Sequence, residues 1–245
     1  MIKMGTVLLW IIALVLCICL LYLLLLGVSA LLVDGKREYE QNSPFYRFLL
    51  YSATACCVKM LRIHIHTEGI DKIPKDGRFL FVSNHRSNFD PILTWYILKD
   101  YDLAFISKEE NFRIPIFGRI IRKCCFMAID RKNPRNAIKT IEKAAGLIEK
   151  DEVSVAVYPE GTRSKECVLL PFHNGVFKIA QKANVPIVVA AIQGTEQIHK
   201  NYLRRRSDIQ FEIVEMIPSD YVKMNRTTAI SDRVRLDLSK VLTEK

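Results

Sequence analysis

The segment Ser83-Asn84-His85-Arg86-Ser87-Asn88-Phe89-Asp90-Pro91 sets an imidazole and a carboxylate five positions apart. On one continuous helix the two would point about 140° from each other, at roughly 100° per residue, so they meet only if the chain turns between them. A histidine oriented by a carboxylate is a usable general base. Asp90 also has a plainer reading. Pro91 suits the first position of a helix, which makes Asp90 its N-cap. A carboxylate has two oxygens, so capping and holding His85 are compatible. A second run, Val157-Tyr158-Pro159-Glu160-Gly161-Thr162-Arg163-Ser164, carries groups suited to phosphate. Arginine presents forked donors to phosphate oxygens, and glycine lets backbone N–H groups come close. Taken alone, Glu160 and Arg163 fit a loop ion pair equally well.

Other residues with reactive side chains point to nothing specific. His64 and His66 share one strand face, but no third ligand stands nearby, and no metal is expected. Ser83, His85 and Asp90 lack the G-x-S-x-G elbow of a serine hydrolase. The seven cysteines, among them the vicinal pairs Cys56-Cys57 and Cys124-Cys125, have no C-x-x-C spacing. They read as buried free thiols in a reducing compartment.

The elements that must position these residues follow from hydropathy. The stretch from Val7 to Val33 has no charged side chain. As a helix of about 40 Å it exceeds a hydrocarbon core of about 30 Å, and it is too long for a signal peptide. It reads as an uncleaved transmembrane anchor. Lys3 alone precedes it, whereas Lys36, Arg37, Arg47, Lys59 and Arg62 follow, so the positive-inside rule places the body in the cytoplasm. Pro44 to Leu61 reads as an amphipathic helix on the membrane surface, with Tyr46 and Tyr51 at headgroup level. Beyond it, short apolar runs alternate with helical periods. Strands are expected at 63–66, 79–83, 125–129, 153–157, 187–192 and 211–214. Helices are expected at 91–98, near 176–183 and at 134–150, the last with Ile138, Ile141, Ala145 and Ile148 on one face. The alternation predicts an α/β fold: a mixed, largely parallel central sheet flanked by helices, with an N-terminal transmembrane helix. The expected domains are 1–33 as anchor, 34–62 as interfacial helical segment and 63–245 as cytoplasmic body.

Half of the 245 residues are hydrophobic and a quarter are charged, which excludes a disordered chain. Basic residues exceed acidic ones by 10, and nearly all of that excess lies in the body. It reads first as attraction to an anionic leaflet, where each Lys or Arg contributes about 1 kcal/mol. No zinc-finger spacing or aromatic-basic RNA motif is present, so nucleic acid is not expected. Arg204-Arg205-Arg206 reads as a solvated or membrane-facing run.

Together the two chemical segments resemble the glycerolipid acyltransferase family, and within it the bacterial 1-acylglycerol-3-phosphate acyltransferases. Asn84, His85 and Asp90 match the N-H-x-x-x-x-D motif. Lys108, Glu109, Pro115, Phe117, Gly118, Ile129, Asp130 and Arg131 match the second motif, Pro159 to Ser164 the third, and Val185 to Ile187 the fourth. The four occur in family order. The resemblance implies His85 as general base and Asp90 as its orienting partner. It implies Lys108, Arg131, Glu160, Gly161, Thr162 and Arg163 as the residues that bind substrate, chiefly the acceptor's phosphate. The implied reaction carries a fatty acyl group from acyl-CoA or acyl-acyl-carrier protein to the hydroxyl of lysophosphatidic acid, giving phosphatidic acid, with no cofactor and no metal. Another lysolipid acceptor, or a non-catalytic module that binds anionic lipid, is the alternative. The departures are Cys125 where glycine is usual, Tyr158 where phenylalanine is commoner, His173-Asn174 before Gly175 where a lysine is frequent, and Val189 where a second proline is usual. The implied location is the cell membrane, single-pass, with the catalytic side cytoplasmic. The sequence carries nothing that sets an oligomeric state.

Overall fold

The computed structural model describes residues 4–130, 133–202 and 205–242. Two helices come first, α1 (Met4–Leu31) and α2 (Pro44–Met60). The body then runs β1 (Ile63–Glu68), β2 (Leu80–Ser83), α3 (Phe89–Ile97), β3 (Leu103–Lys108), α4 (Phe117–Arg122) and β4 (Met127–Ile129). It continues with α5 (Pro134–Glu149), β5 (Ser154–Val157), α6 (Lys178–Ala183), β6 (Ile187–Gln193) and α7 (Ile198–Asn201). It ends with β7 (Ser207–Ile217), α8 (Ser219–Met224) and α9 (Thr227–Val241). The strands form one seven-stranded sheet in the order β1-β7-β6-β2-β5-β3-β4. Every neighbouring pair is parallel except β6 with β7. A mixed, largely parallel sheet between helices is the fold the alternation predicts.

The central strands are apolar on both faces because both faces are covered. On β2, Phe81 points to the face packed by α2, α3 and α4, whereas Leu80 and Val82 point to the face packed by α5, α6 and α9. On β6, Val188, Ala190 and Ile192 alternate in the same way with Ile187, Val189 and Ala191.

Three expectations change. The expected strand at 211–214 is an eleven-residue strand that bridges β1 and β6, and β3 and α9 had no counterpart in the sequence reading. On α5, Ile141, Ala145 and Ile148 are buried, but Ile138 is exposed and lies off the covered stripe. Among the cysteines, Cys124, Cys125 and Cys167 are buried, while Cys17, Cys19 and Cys56 are exposed. Burial pushes the thiols of Cys124 and Cys125 up to about 12 and about 11.

The 28 residues of α1 are apolar on all sides, and the helix is long and apolar enough to cross a membrane. Its C-terminal end is tied into the body, where Leu26, Ser29 and Ala30 are buried. Tyr22 Oη lies 2.7 Å from Ser52 Oγ on α2. Arg119 donates to the carbonyls of Ala30 and Val33 at 3.4 Å, a cation at the negative end of the helix. The face of α2 carrying Leu49, Leu50 and Val58 is buried, and Phe45, Phe48 and Met60 are exposed on the other. Tyr46 does not lie on the exposed face of α2. It is buried, and its hydroxyl donates to Ser29 O at 2.9 Å.

Candidate active site

Parallel strands bring their carboxyl ends to one edge of a sheet, and ligands bind in α/β folds beyond that edge. Here β2 ends at the loop carrying His85, β5 at the loop carrying Glu160 to Arg163, and β3 at Lys108. Asn84 fixes the relation of β2 to β6. Its Oδ1 accepts from Ile192 N and its Nδ2 donates to Ile192 O, both at 2.9 Å.

The chain does turn between His85 and Asp90. His85 Nδ1 lies 2.7 Å from Asp90 Oδ2, and the same oxygen accepts from the N–H groups of Arg86 and Ser87 at 2.7 Å. The other oxygen, Oδ1, accepts from Thr195 Oγ1 at 2.5 Å. Asp90 is fully buried. The capping reading is corrected: α3 begins at Phe89 behind Asn88, so Asp90 lies inside the first turn. Its carboxylate takes the N–H groups of the upstream loop and leaves those further along the helix to the helix itself.

The His85 ring stacks on Tyr158 with centroids 4.5 Å apart and planes at 21°. Burial, with the nearby Asp90 carboxylate, raises the Tyr158 phenol well above its ordinary range, so it stays neutral. Its hydroxyl meets Thr94 Oγ1 at 3.3 Å. A phenylalanine could form the stack but not this bond.

Glu160 is placed differently from its expected role in substrate binding. It is buried, with Oε1 accepting from His85 N at 2.6 Å and Oε2 from Leu170 N at 3.0 Å. Burial raises its carboxyl above the usual range, and those two N–H groups oppose the rise. Both oxygens are occupied by backbone, so Glu160 braces the loops behind the cleft and forms no ion pair with Arg163. Ser164 N adds a second tie between the segments, donating to His85 O at 2.8 Å.

The remaining expected residues other than Arg131 gather around one cleft of about 350 Å³. Lys108, Gly161, Thr162 and Arg163 line it together with His85 and Tyr158. Phe105, Ile114, Phe117, Pro91 and Ile92 supply an apolar side. Gly161 has φ +66°, and a Cβ there would lie 2.8 Å from the His173 ring, so the position requires glycine. The Arg163 side chain has no protein partner among the described residues, and it is exposed. Arg131 lies outside the described residues. His64 and His66 are exposed on β1; His66 Nε2 lies 3.4 Å from Asp208 Oδ1. Of the basic run, Arg206 pairs with Asp208, and Arg204 lies outside the described residues.

Comparison with known proteins agrees with this geometry. The chain is 27% identical to the 1-acyl-sn-glycerol-3-phosphate acyltransferase alpha of Ovis aries over 228 residues, covering 92% of this chain and 77% of that protein. It is 32% identical to the 1-acyl-sn-glycerol-3-phosphate acyltransferase of Salmonella typhimurium over 142 residues, covering 58% of this chain and 56% of the relative. The crystal structure of the 1-acyl-sn-glycerophosphate acyltransferase from Thermotoga maritima shares the fold, with a TM-score of 0.65 at 23% identity, covering 90% of this chain and 88% of the other. A family model described as Acyltransferase matches residues 64–193, more than half of the sequence and the whole of the dyad and its cleft: the chain is an enzyme of the acyltransferase family.

Proposed function

We propose that the enzyme transfers a fatty acyl group from an acyl thioester, acyl-CoA or acyl-acyl-carrier protein, to the free hydroxyl of 1-acylglycerol 3-phosphate. The observation that carries this reading is the buried Asp90 holding His85 Nδ1 at 2.7 Å in the cleft that Lys108 and Arg163 also line. With Nδ1 committed, Nε2 is the nitrogen left to take a proton. The acceptor's O–H gives its proton to Nε2 as the oxygen attacks the thioester carbonyl. The tetrahedral intermediate then expels the thiolate, which takes the proton back from the imidazolium. Asp90 stabilises that imidazolium and keeps the ring in register. In this reading the donor is a co-substrate, and the chemistry calls on no cofactor or metal.

An acceptor with a lipid chain fits the surroundings of the cleft. Ile114 lines the cleft and also an open groove of about 730 Å³ between α1 and the segment 112–119. Leu23, Leu24, Gly27 and Val28 of α1 form one wall of that groove. A chain lying along the membrane helix would therefore reach the site past a single side chain. We place α1 across the cell membrane with the body, 63–245, on the cytoplasmic side, and the exposed aromatics of α2 against the leaflet.

The test is thiol release from acyl-CoA and from acyl-carrier protein, measured across a panel of lysolipids with wild type and His85→Ala. The expected result is turnover with lysophosphatidic acid that falls about 10²–10⁴-fold in the variant, the usual worth of general-base catalysis. Equal turnover of neutral lysolipids overturns the acceptor assignment. Near-normal turnover of the variant overturns the dyad.

A further inference from the structure

A third side chain meets the dyad. β2 and β6 are parallel neighbours, so the loop carrying His85 and the residues following Gln193 leave the sheet at the same edge. Gly194 makes the turn, with φ +90° in a place where a Cβ would lie 2.5 Å from Asp208 O. Only glycine takes that path. Beyond it, Thr195 is fully buried and donates its hydroxyl to Asp90 Oδ1 at 2.5 Å. No other hydrogen bond to that oxygen is formed among the described residues. A buried carboxylate needs donors for both oxygens, and a hydroxyl hydrogen-bonded to its charged form lowers the proton affinity of the group it serves. Asp90 Oδ2 is already filled by His85 and two backbone N–H groups, so Oδ1 is where the charge of Asp90 remains adjustable by one side chain.

We propose that Thr195 is a positioning residue of the reaction, one that fixes the Asp90 carboxylate and sets the basicity of His85 through it. The inference rests on His85 being the general base. Neither the four motifs nor the family match, which ends at residue 193, includes Thr195.

Asp90 and His85 share a hydrogen bond of 2.7 Å, so a change at the carboxylate is felt at the imidazole. The other titratable groups around that pair are Glu160 and Tyr158 beyond β5, Arg86 in the dyad loop, Glu196 beside Thr195, and Lys108 and Arg163 on the cleft. None of these changes in a Thr195 substitution. Removing the hydroxyl leaves Asp90 Oδ1 without its donor and strengthens the pull of the carboxylate on a proton. The acidic limb of the kcat/KM profile should then move to higher pH, as the pair holds its proton longer.

The experiment compares Thr195→Val, Thr195→Ala and Thr195→Ser with wild type and His85→Ala in the full-length membrane enzyme. Thermal melting of each variant monitors folding. Thr195→Val is expected to lose roughly 10-fold or more in kcat, the scale of a hydrogen bond to a charged group, and to shift the acidic limb upward, with KM for the donor unchanged. Thr195→Ala carries the same expectation should the valine variant not fold. Thr195→Ser keeps the hydroxyl and should restore both rate and limb. A wild-type limb in a folded Val or Ala variant overturns the proposal, as does a Ser variant that behaves like alanine. If His85→Ala retains turnover, the general-base reading itself fails. If only the Thr195 variants are silent, that reading stands and the role given to Thr195 falls.

Discussion

At the scale of single residues, the hydrogen-bond count around Asp90 decides what its substitutions should do. In Asp90→Asn the amide oxygen can occupy the Oδ2 position and accept from His85, Arg86 and Ser87, while the amide nitrogen faces Thr195 Oγ1, which can turn to accept. The fold therefore loses little, but the charge that stabilises the imidazolium is gone. Turnover should fall on the order of 10²–10⁴-fold with little change in melting temperature. Without the negative charge the His85 imidazolium is less favoured, so the acidic limb of the rate profile should move to lower pH, opposite in sign to removal of the Thr195 hydroxyl. Equal losses of stability and activity would mean that Asp90 serves the fold alone. Arg163 is a separate case. Both Glu160 oxygens are held by backbone N–H groups, so the guanidinium has no carboxylate partner there and is available to an anion in the cleft. Lysine keeps the charge but lacks the fork. Arg163→Lys should raise the KM for the phosphorylated acceptor by roughly 10–150-fold, the range for hydrogen bonds to charged groups, and leave the KM for the donor nearly unchanged. Parallel rises in both constants would place the phosphate elsewhere.

At the scale of elements, the dyad loop and the third-motif loop were legible because each follows a short apolar run closed by turn residues. The resulting strands, β2 and β5, are neighbours in the sheet. What the sequence could not show was which backbone groups the buried polar side chains would serve. Glu160 looked like a ligand or an ion-pair partner, yet it stitches His85 N to Leu170 N across the back of the cleft. Thr195 carried no signal because its partner is 105 residues away and reaches it only through the pairing of β2 with β6. The strand β3 has no decisive period in sequence because its apolar run, Leu103 to Ile106, is only four residues long, whereas the spacing of Ile230, Val234 and Leu238 in α9 is a helical one. The groove between α1 and the segment 112–119 is likewise a tertiary feature, and it yields a test. A Cβ built on Gly27 meets nothing within 4 Å, so a large side chain can enter the groove without disturbing α1. Gly27→Trp should lower kcat/KM for a long-chain lysophosphatidic acid by about 10-fold or more, the scale on which apolar subsites discriminate. A short-chain, water-soluble analogue that never occupies the groove should be turned over as by wild type. If both acceptors slow equally, the groove does not carry the chain.

At the scale of the whole molecule, the N-terminal segment that begins with α1 has two distinct parts. Residues 4–21 are exposed, whereas Tyr22, Leu26, Ser29, Ala30 and Val33 meet the body through packing or hydrogen bonds. Length and hydropathy show a helix able to span a membrane but not this docking, because an apolar residue on an open surface and one facing protein look alike in sequence. The distinction predicts opposite outcomes for two truncations. Removing residues 1–20 takes away only exposed surface among the described residues, so the remaining chain should fold, keep its melting temperature and keep turnover on detergent-dispersed acceptor. Its membrane attachment should weaken and become salt-sensitive, since α2 and the basic excess of the body remain and exposed charges are screened beyond about 10 Å at 0.1 M salt. Removing residues 1–33 also takes the buried Leu26, Ala30 and Val33 out of the body, and it deletes the carbonyl of Ser29 that Tyr46 holds and those of Ala30 and Val33 that Arg119 holds. Burying one such aliphatic side chain contributes about 1.5–3 kcal/mol, so losing the contacts of Leu26 and Val33 should cost several kcal/mol, enough to lower the melting temperature clearly or prevent folding. Sedimentation with vesicles at low and high salt, alongside thermal melts of both truncations, reads the two effects separately. Equal stability of the two truncated chains would show that the end of α1 rests on the body without supporting it.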